Sequence, residues 1–118
     1  MSRFIAIALG AFLAPAAFAV PLPRDAIQIL QIAGTTWSAS DSDGHQYTFT
    51  FEKNGTLTYT STTGTYSNGS WKQEGSQISF ETNKHYRDFV GTIAGKSMSG
   101  TSWNVQGLKW TWQATKKT

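Results

Sequence analysis

The chain has 118 residues, no cysteine, 14% aromatic residues and a formal charge of +3. The lack of cysteine rules out disulfide staples and a lipid-bearing cysteine, so the fold must hold by packing alone. Nucleic-acid binding is not implied, because from Thr35 to Thr115 Lys53, Lys72, Lys84, Arg87, Lys96 and Lys109 are matched by Asp41, Asp43, Glu52, Glu74, Glu81 and Asp88, which leaves no basic stripe to track phosphates.

The first 19 residues read as an export signal. Arg3 supplies a short basic start, Phe4–Ala14 an apolar run, and Ala17-Phe18-Ala19 a small-residue cleavage site. The run is too short to span a bilayer, and Pro15 follows it. The expectation is a signal peptide over 1–19, a mature chain from near Val20 with no membrane span, and a periplasmic or secreted location.

Residues 20–34 form a leader. Pro21 and Pro23 stiffen it, Asp25 is placed to cap a short helix over Ala26–Ala33, and Gly34 is placed to stop it. Ile27, Ile29 and Leu30 would share an apolar face that plugs or flanks the domain beyond. A helix this short is marginal alone, so a loosely ordered segment is the alternative.

From 35 to 118 short alternating runs are separated by turn chemistry. A first strand over Thr36–Ser40 carries Trp37, and Asp41-Ser42-Asp43-Gly44 turns. His45–Thr60 reads as one hairpin, in which Tyr47, Phe49, Phe51, Leu57 and Tyr59 face one way and the threonines the other, about the turn at Lys53-Asn54-Gly55. Thr63–Asn68 reads as a longer loop able to hold a bulge. A fourth strand follows over Gly69–Gln73 with Trp71 inward, then a fifth over Gln77–Thr82 with Ile78 and Phe80 inward. The sixth is Tyr86–Ile93, the seventh Ser97–Asn104, and the eighth Leu108–Thr115 with Trp110 and Trp112 on one face.

A meander of eight short strands leaves two open edges unless it closes. The predicted fold is therefore all-β, an eight-stranded antiparallel up-and-down barrel over 35–118 with a short N-terminal helix; a β-sandwich is the alternative closure, and the short sequential turns favour the barrel. The seventh strand carries Ser97, Met98, Ser99 and Gly100 where its neighbours carry aromatics, which makes room for the rings of Trp110 and Trp112. Trp103 is out of phase with Met98 and Gly100 and is expected to face outward.

Gly34-Thr35-Thr36-Trp37 resembles the opening of lipocalins and the wider calycin group. The run from Trp37 to Thr115 is similar to small exported bacterial lipocalin-like domains, through the Asp43-Gly44 turn, Gly69-Ser70-Trp71 and the closing Trp110-Thr111-Trp112. The resemblance implies a lipocalin-like barrel and, loosely, binding; it carries over no site residue.

Chemistry finds little support in the residues. His45 and His85, even with Asp41 and Asp43, lack metal-ligand spacing, and Asp41-Ser42-Asp43-Gly44 lacks the later ligands of a calcium loop. No nucleophile elbow appears, so no enzyme and no cofactor is expected. The aromatics are the functional lead. Trp37, Tyr47, Tyr59, Trp71, Tyr86 and Trp110 are the candidate ligand-binding residues, offering ring faces with O–H and N–H handles for a small hydrophobic or aromatic ligand. The same rings would equally serve to fill a barrel of this size, which leaves a packed core as the alternative. In that case the protein is a periplasmic interaction or inhibitor module that meets a protein partner through loops at Thr63–Asn68 or Asn83–Arg87.

Overall fold

The computed structural model describes residues 31–117, so the expected signal peptide and most of the leader lie outside the described residues. Of the expected helix over Ala26–Ala33, residues 26–30 also lie outside, and Gln31, Ile32 and Ala33 are coil and turn. The barrel claims the donors a helical turn would need. Ile32 N–H donates to Gln73 Oε1 (3.1 Å) and Gly34 N–H to the Phe51 carbonyl (2.6 Å). The Ile32 side chain is fully buried.

Eight strands follow: β1 (Thr35–Asp41), β2 (Gln46–Phe51), β3 (Thr56–Ser61), β4 (Gly64–Glu74), β5 (Gln77–Thr82), β6 (Arg87–Ala94), β7 (Ser97–Asn104) and β8 (Lys109–Lys116). Each pairs antiparallel with the next, and β8 returns to β1 with Ala39 opposite Ala114, so the sheet is a closed barrel with no free edge. Among the described residues no helix is long and apolar enough to cross a membrane.

The hairpin at the heart of the sequence forms as its alternation requires. Phe49 pairs with Tyr59 and Phe51 with Leu57, all buried. The threonines between them point outward and hydrogen-bond across the strands, Thr36 to Thr50 at 3.0 Å and Thr60 to Thr65 at 2.9 Å. The fourth strand starts earlier than its composition suggests. Thr63–Asn68 is not a loop: β4 begins at Gly64, and the β3–β4 connection is tight. The extra residue is absorbed by a bulge at Ser67 and Asn68 opposite Thr58, where the register shifts between Leu57 and Tyr59. Glycine, serine and asparagine read as turn formers, yet pairing from Ser61–Gly64 to Tyr59–Tyr66 holds Gly64, Thr65 and Tyr66 in the ladder, and Ser67 and Asn68 form the bulge that interrupts it.

The barrel is filled through its middle. Phe80 is the hub: it stacks on Phe89 (centroids 4.6 Å apart) and meets Phe49, Phe51 and Trp112 edge-on at 4.9, 5.3 and 5.3 Å. Each such pair adds to the area the rings bury, by about 0.5–1.5 kcal/mol. Room for Trp112 comes from two facing glycines, Gly91 on β6 and Gly100 on β7. A Cβ at Gly91 would lie 2.8 Å from Trp112 Cζ2. The indole N–H then donates to the carbonyls of Val90 and Thr101 at 3.2 and 3.0 Å. Trp103, on the other face of β7, is partly exposed.

Glu81, Thr82, Ser102 and Asn104 are the buried polar residues among those described, and Ser102 stands apart from the rest. Ser102, fully buried between Phe89 and Trp110 on the neighbouring strands, has no hydrogen-bond partner for its hydroxyl among the described residues. Desolvating an unpaired hydroxyl costs free energy. Ser102→Ala is therefore expected to leave stability unchanged or to raise it by about 1 kcal/mol in urea denaturation. A loss of stability would show that the hydroxyl has a partner.

Candidate functional site

In an up-and-down barrel the turns alternate between the two ends. Trp37, near the start of β1, and Trp71, near the end of β4, lie at the end that receives Ile32. Trp37 is fully buried and its indole donates to Thr35 Oγ1 (2.8 Å), while the Trp71 indole donates to the Glu52 carbonyl (2.8 Å) and its ring meets Phe51 edge-on. Both rings have their handles satisfied internally, so these two candidate residues pack the closed end and stand apart from the other four.

The opposite end is open. A cleft of about 660 Å³ there is lined by Tyr47, Tyr59, Tyr66, Tyr86, Asn68 and Arg87, among others. Those four tyrosines are every tyrosine in the chain. They arrive from β2, β3, β4 and the β5–β6 turn, at strand ends that alternate in direction and so meet at one mouth. Tyr47 stacks on Phe49 at 5.2 Å, which joins the cleft wall to the filled core. Tyr59 lies 5.5 Å from Tyr66, centroid to centroid.

The bulge in β4 shapes this mouth. It brings Asn68 to Tyr59, whose hydroxyl donates to Asn68 Oδ1 at 2.6 Å, and the same oxygen accepts from the Asn83 N–H at 3.2 Å. One side chain thus ties three elements of the rim. Beyond it, Asn83, Lys84 and His85 all take positive φ (53°, 55° and 65°). Left-handed backbone costs a non-glycine residue about 1–2 kcal/mol, so three in a row need support. Buried Glu81 provides it, accepting from the His85 N–H at 2.7 Å and from the Ser70 hydroxyl at 2.8 Å. The exposed His85 ring hydrogen-bonds Asp88 at 2.8 Å, which raises its pKa. This turn delivers Tyr86 and Arg87 to the cleft.

Arg87 sits at the centre of a network that composition does not reveal. Its Nη1 donates to the Tyr47 hydroxyl (2.8 Å) and to Asp41 Oδ2 (3.3 Å), and its guanidinium carbon lies 3.9 Å from the centre of the Trp110 ring. The Asp41 side chain is fully buried and also accepts from the Asp43 N–H, the His45 N–H and His45 Nδ1. Burial pushes the Tyr47 hydroxyl above the ordinary tyrosine range, with the Arg87 charge pulling the other way; burial also raises Tyr59. Both phenols therefore stay protonated at neutral pH.

Of the six candidate residues the structure brings Tyr47, Tyr59 and Tyr86 into the cleft and places Trp110 beneath Arg87. Tyr66, Asn68 and Arg87 are not among those six; the sequence offers them only within Thr63–Asn68 and Asn83–Arg87, the segments expected to meet a protein partner. Parity was the signal that would have found them: in a closed meander, residues at the starts of even strands and the ends of odd strands share one end. No group of His, Asp or Glu among the described residues is arranged to hold a metal ion. No protein family, curated protein or solved structure was found that matches this chain.

Proposed function

We propose that this protein is an exported, lipocalin-like binding protein that holds a small aromatic or apolar molecule in the open mouth of its barrel. The observation that carries the reading is the convergence of all four tyrosines on one cleft above a filled core. Its volume, about 660 Å³, is that of a small-molecule site, and its walls mix ring faces with a few fixed polar groups. A ligand would sit in the mouth only, since the phenylalanines and Trp112 occupy the space below. Export rests on the signal read in residues 1–19.

The test uses a neutral lipophilic probe, N-phenyl-1-naphthylamine, followed by amide chemical shifts. Saturable binding is expected, with shifts confined to 44–47, 59–68 and 82–87. Tyr66→Ala, at a partly exposed ring whose loss should leave the core intact, is expected to weaken binding about tenfold. Absence of saturation, or shifts scattered over the outer surface, would overturn the reading.

A second reading, a protein-interaction or inhibitor module, is favoured by one observation. The mouth's rim exposes Tyr86, Val105 and Leu108, at 44%, 67% and 56% of their surface. Under that reading Val105 and Leu108 replaced by serine lose the partner while probe binding is unchanged.

A further inference from the structure

We propose that the ligand of this mouth carries a carboxylate, received by Arg87 and Tyr47; this rests on the reading of the mouth as a small-molecule site. Three observations carry it. The first is the charge of the lining. Arg87 is a permanent cation on the cleft wall, and no aspartate or glutamate is among the residues that line the cleft. Asp41, which balances Arg87, lies behind it with its side chain fully buried and its oxygens occupied by His45, Asp43 and Arg87. An incoming anion therefore meets the guanidinium and not its counter-ion.

The second is the hydrogen-bond inventory of the guanidinium. It has five N–H groups. The two on Nη1 are committed, one to Asp41 and one to Tyr47. Those on Nε and Nη2 have no acceptor among the described residues, and the side chain is 13% exposed. The edge formed by Nε and Nη2 is a fork that matches the two oxygens of a carboxylate. Trp110 covers a face of the group, which holds the fork in one plane and steers the anion to its edge.

The third is Tyr47. Its oxygen accepts from Arg87, so its own proton has no acceptor among the described residues and is free to donate into the cleft. Arg87 and Tyr47 are thus adjacent donors on one wall, while Tyr59, Tyr66 and Tyr86 supply ring faces for an aromatic body. Orientation follows: carboxylate toward Arg87, ring toward Tyr59 and Tyr66.

A matched pair of probes tests this on the unaltered protein. Naphthalene-2-carboxylate and naphthalene-2-carboxamide have the same shape and differ in charge. Hydrogen bonds to charged groups imply a preference of roughly tenfold to a hundredfold for the carboxylate by isothermal titration. The Arg87 Nε–H resonance is expected to shift with the carboxylate and not with the amide. Arg87→Gln should abolish the preference, and Tyr47→Phe should reduce it. Equal affinities would overturn the carboxylate inference while leaving the mouth as a ligand site. Failure of both probes to bind at millimolar concentration would overturn the mouth reading as well. A preference that survives in folded Arg87→Gln would remove Arg87 as the receptor; if that variant does not fold, the Nε–H shift in the unaltered chain decides the point.

Discussion

Gly100→Ala is expected to cost about 3 kcal/mol or more of folding stability, although it adds a single methyl group. The cause is the approach of β7 to β6. A Cβ at residue 100 would lie 1.8 Å from the Val90 carbonyl oxygen, 2.5 Å from Gly91 Cα and 2.7 Å from the Val90 carbonyl carbon. All three are backbone atoms, so no side-chain rotation relieves the clash. Separating the strands would break the ladder between Val90 and Thr101 and lift the floor on which Trp112 rests. Urea denaturation of the variant beside Ser97→Ala, an exposed change on the same strand, isolates the effect. A loss below about 1 kcal/mol in Gly100→Ala would show that the two strands separate cheaply and that the glycine pair is not what seats the ring.

Asp41→Ala is the second large loss, of about 3 kcal/mol, since removing one partner of a buried ion pair strands the other. Arg87 would keep its place against Trp110 with only Tyr47 to accept from it. The turn from β1 to β2 would also lose its pin, because Asp41 accepts from the Asp43 and His45 backbone at 3.0 and 2.9 Å. Asp41→Asn keeps an acceptor for the turn and discards the charge, so its loss should fall between the alanine variant and the parent. Exposed Asp43 serves as control, and Asp43→Ala should stay within about 0.5 kcal/mol of the parent. Equal losses in Asp41→Ala and Asp41→Asn would show that the carboxylate's charge, and not its role in the turn, sets the cost. No loss in either would show that Arg87 does not depend on Asp41.

The alternation of Tyr47, Phe49 and Phe51 against threonines made the barrel legible, because a half-buried sheet imposes period 2 on the side chains. The inward direction of Trp71, Ile78 and Phe80 and the outward direction of Trp103 followed from the same rule, and the packing role of the small residues in β7 from their size opposite Trp110 and Trp112. Thr63–Asn68 misled because the bulge needs the residues a turn needs; local chemistry does not separate the two, and only pairing with β3 decides. The site was half legible. Tyr47, Tyr59, Tyr86 and Trp110 stand out as amphipathic rings, but ring chemistry alone does not say which end of a barrel a ring occupies, so Trp37 and Trp71 were grouped with them. Arg87 is legible only as the end of the Asn83–Arg87 loop, and its place in the cleft is hidden for a different reason. Its partners Asp41, Tyr47 and Trp110 come from β1, β2 and β8, and no spacing in the chain records a contact made only when the barrel closes.

The seam between β1 and β8 also governs how the chain reaches this state. Seven of the strand pairings join neighbours in sequence and can form as local hairpins, whereas the eighth sets Trp37 opposite Lys116 and joins the two ends of the domain. A growing chain cannot make it until the last strand has emerged. Until then β1 and the advancing strand both present unpaired edges, the state most exposed to association with other chains. Topologies that depend on non-local pairings fold on the order of milliseconds to seconds. The Arg87–Asp41 contact joins β6 to β1 across the mouth, so it too belongs to the closed circle.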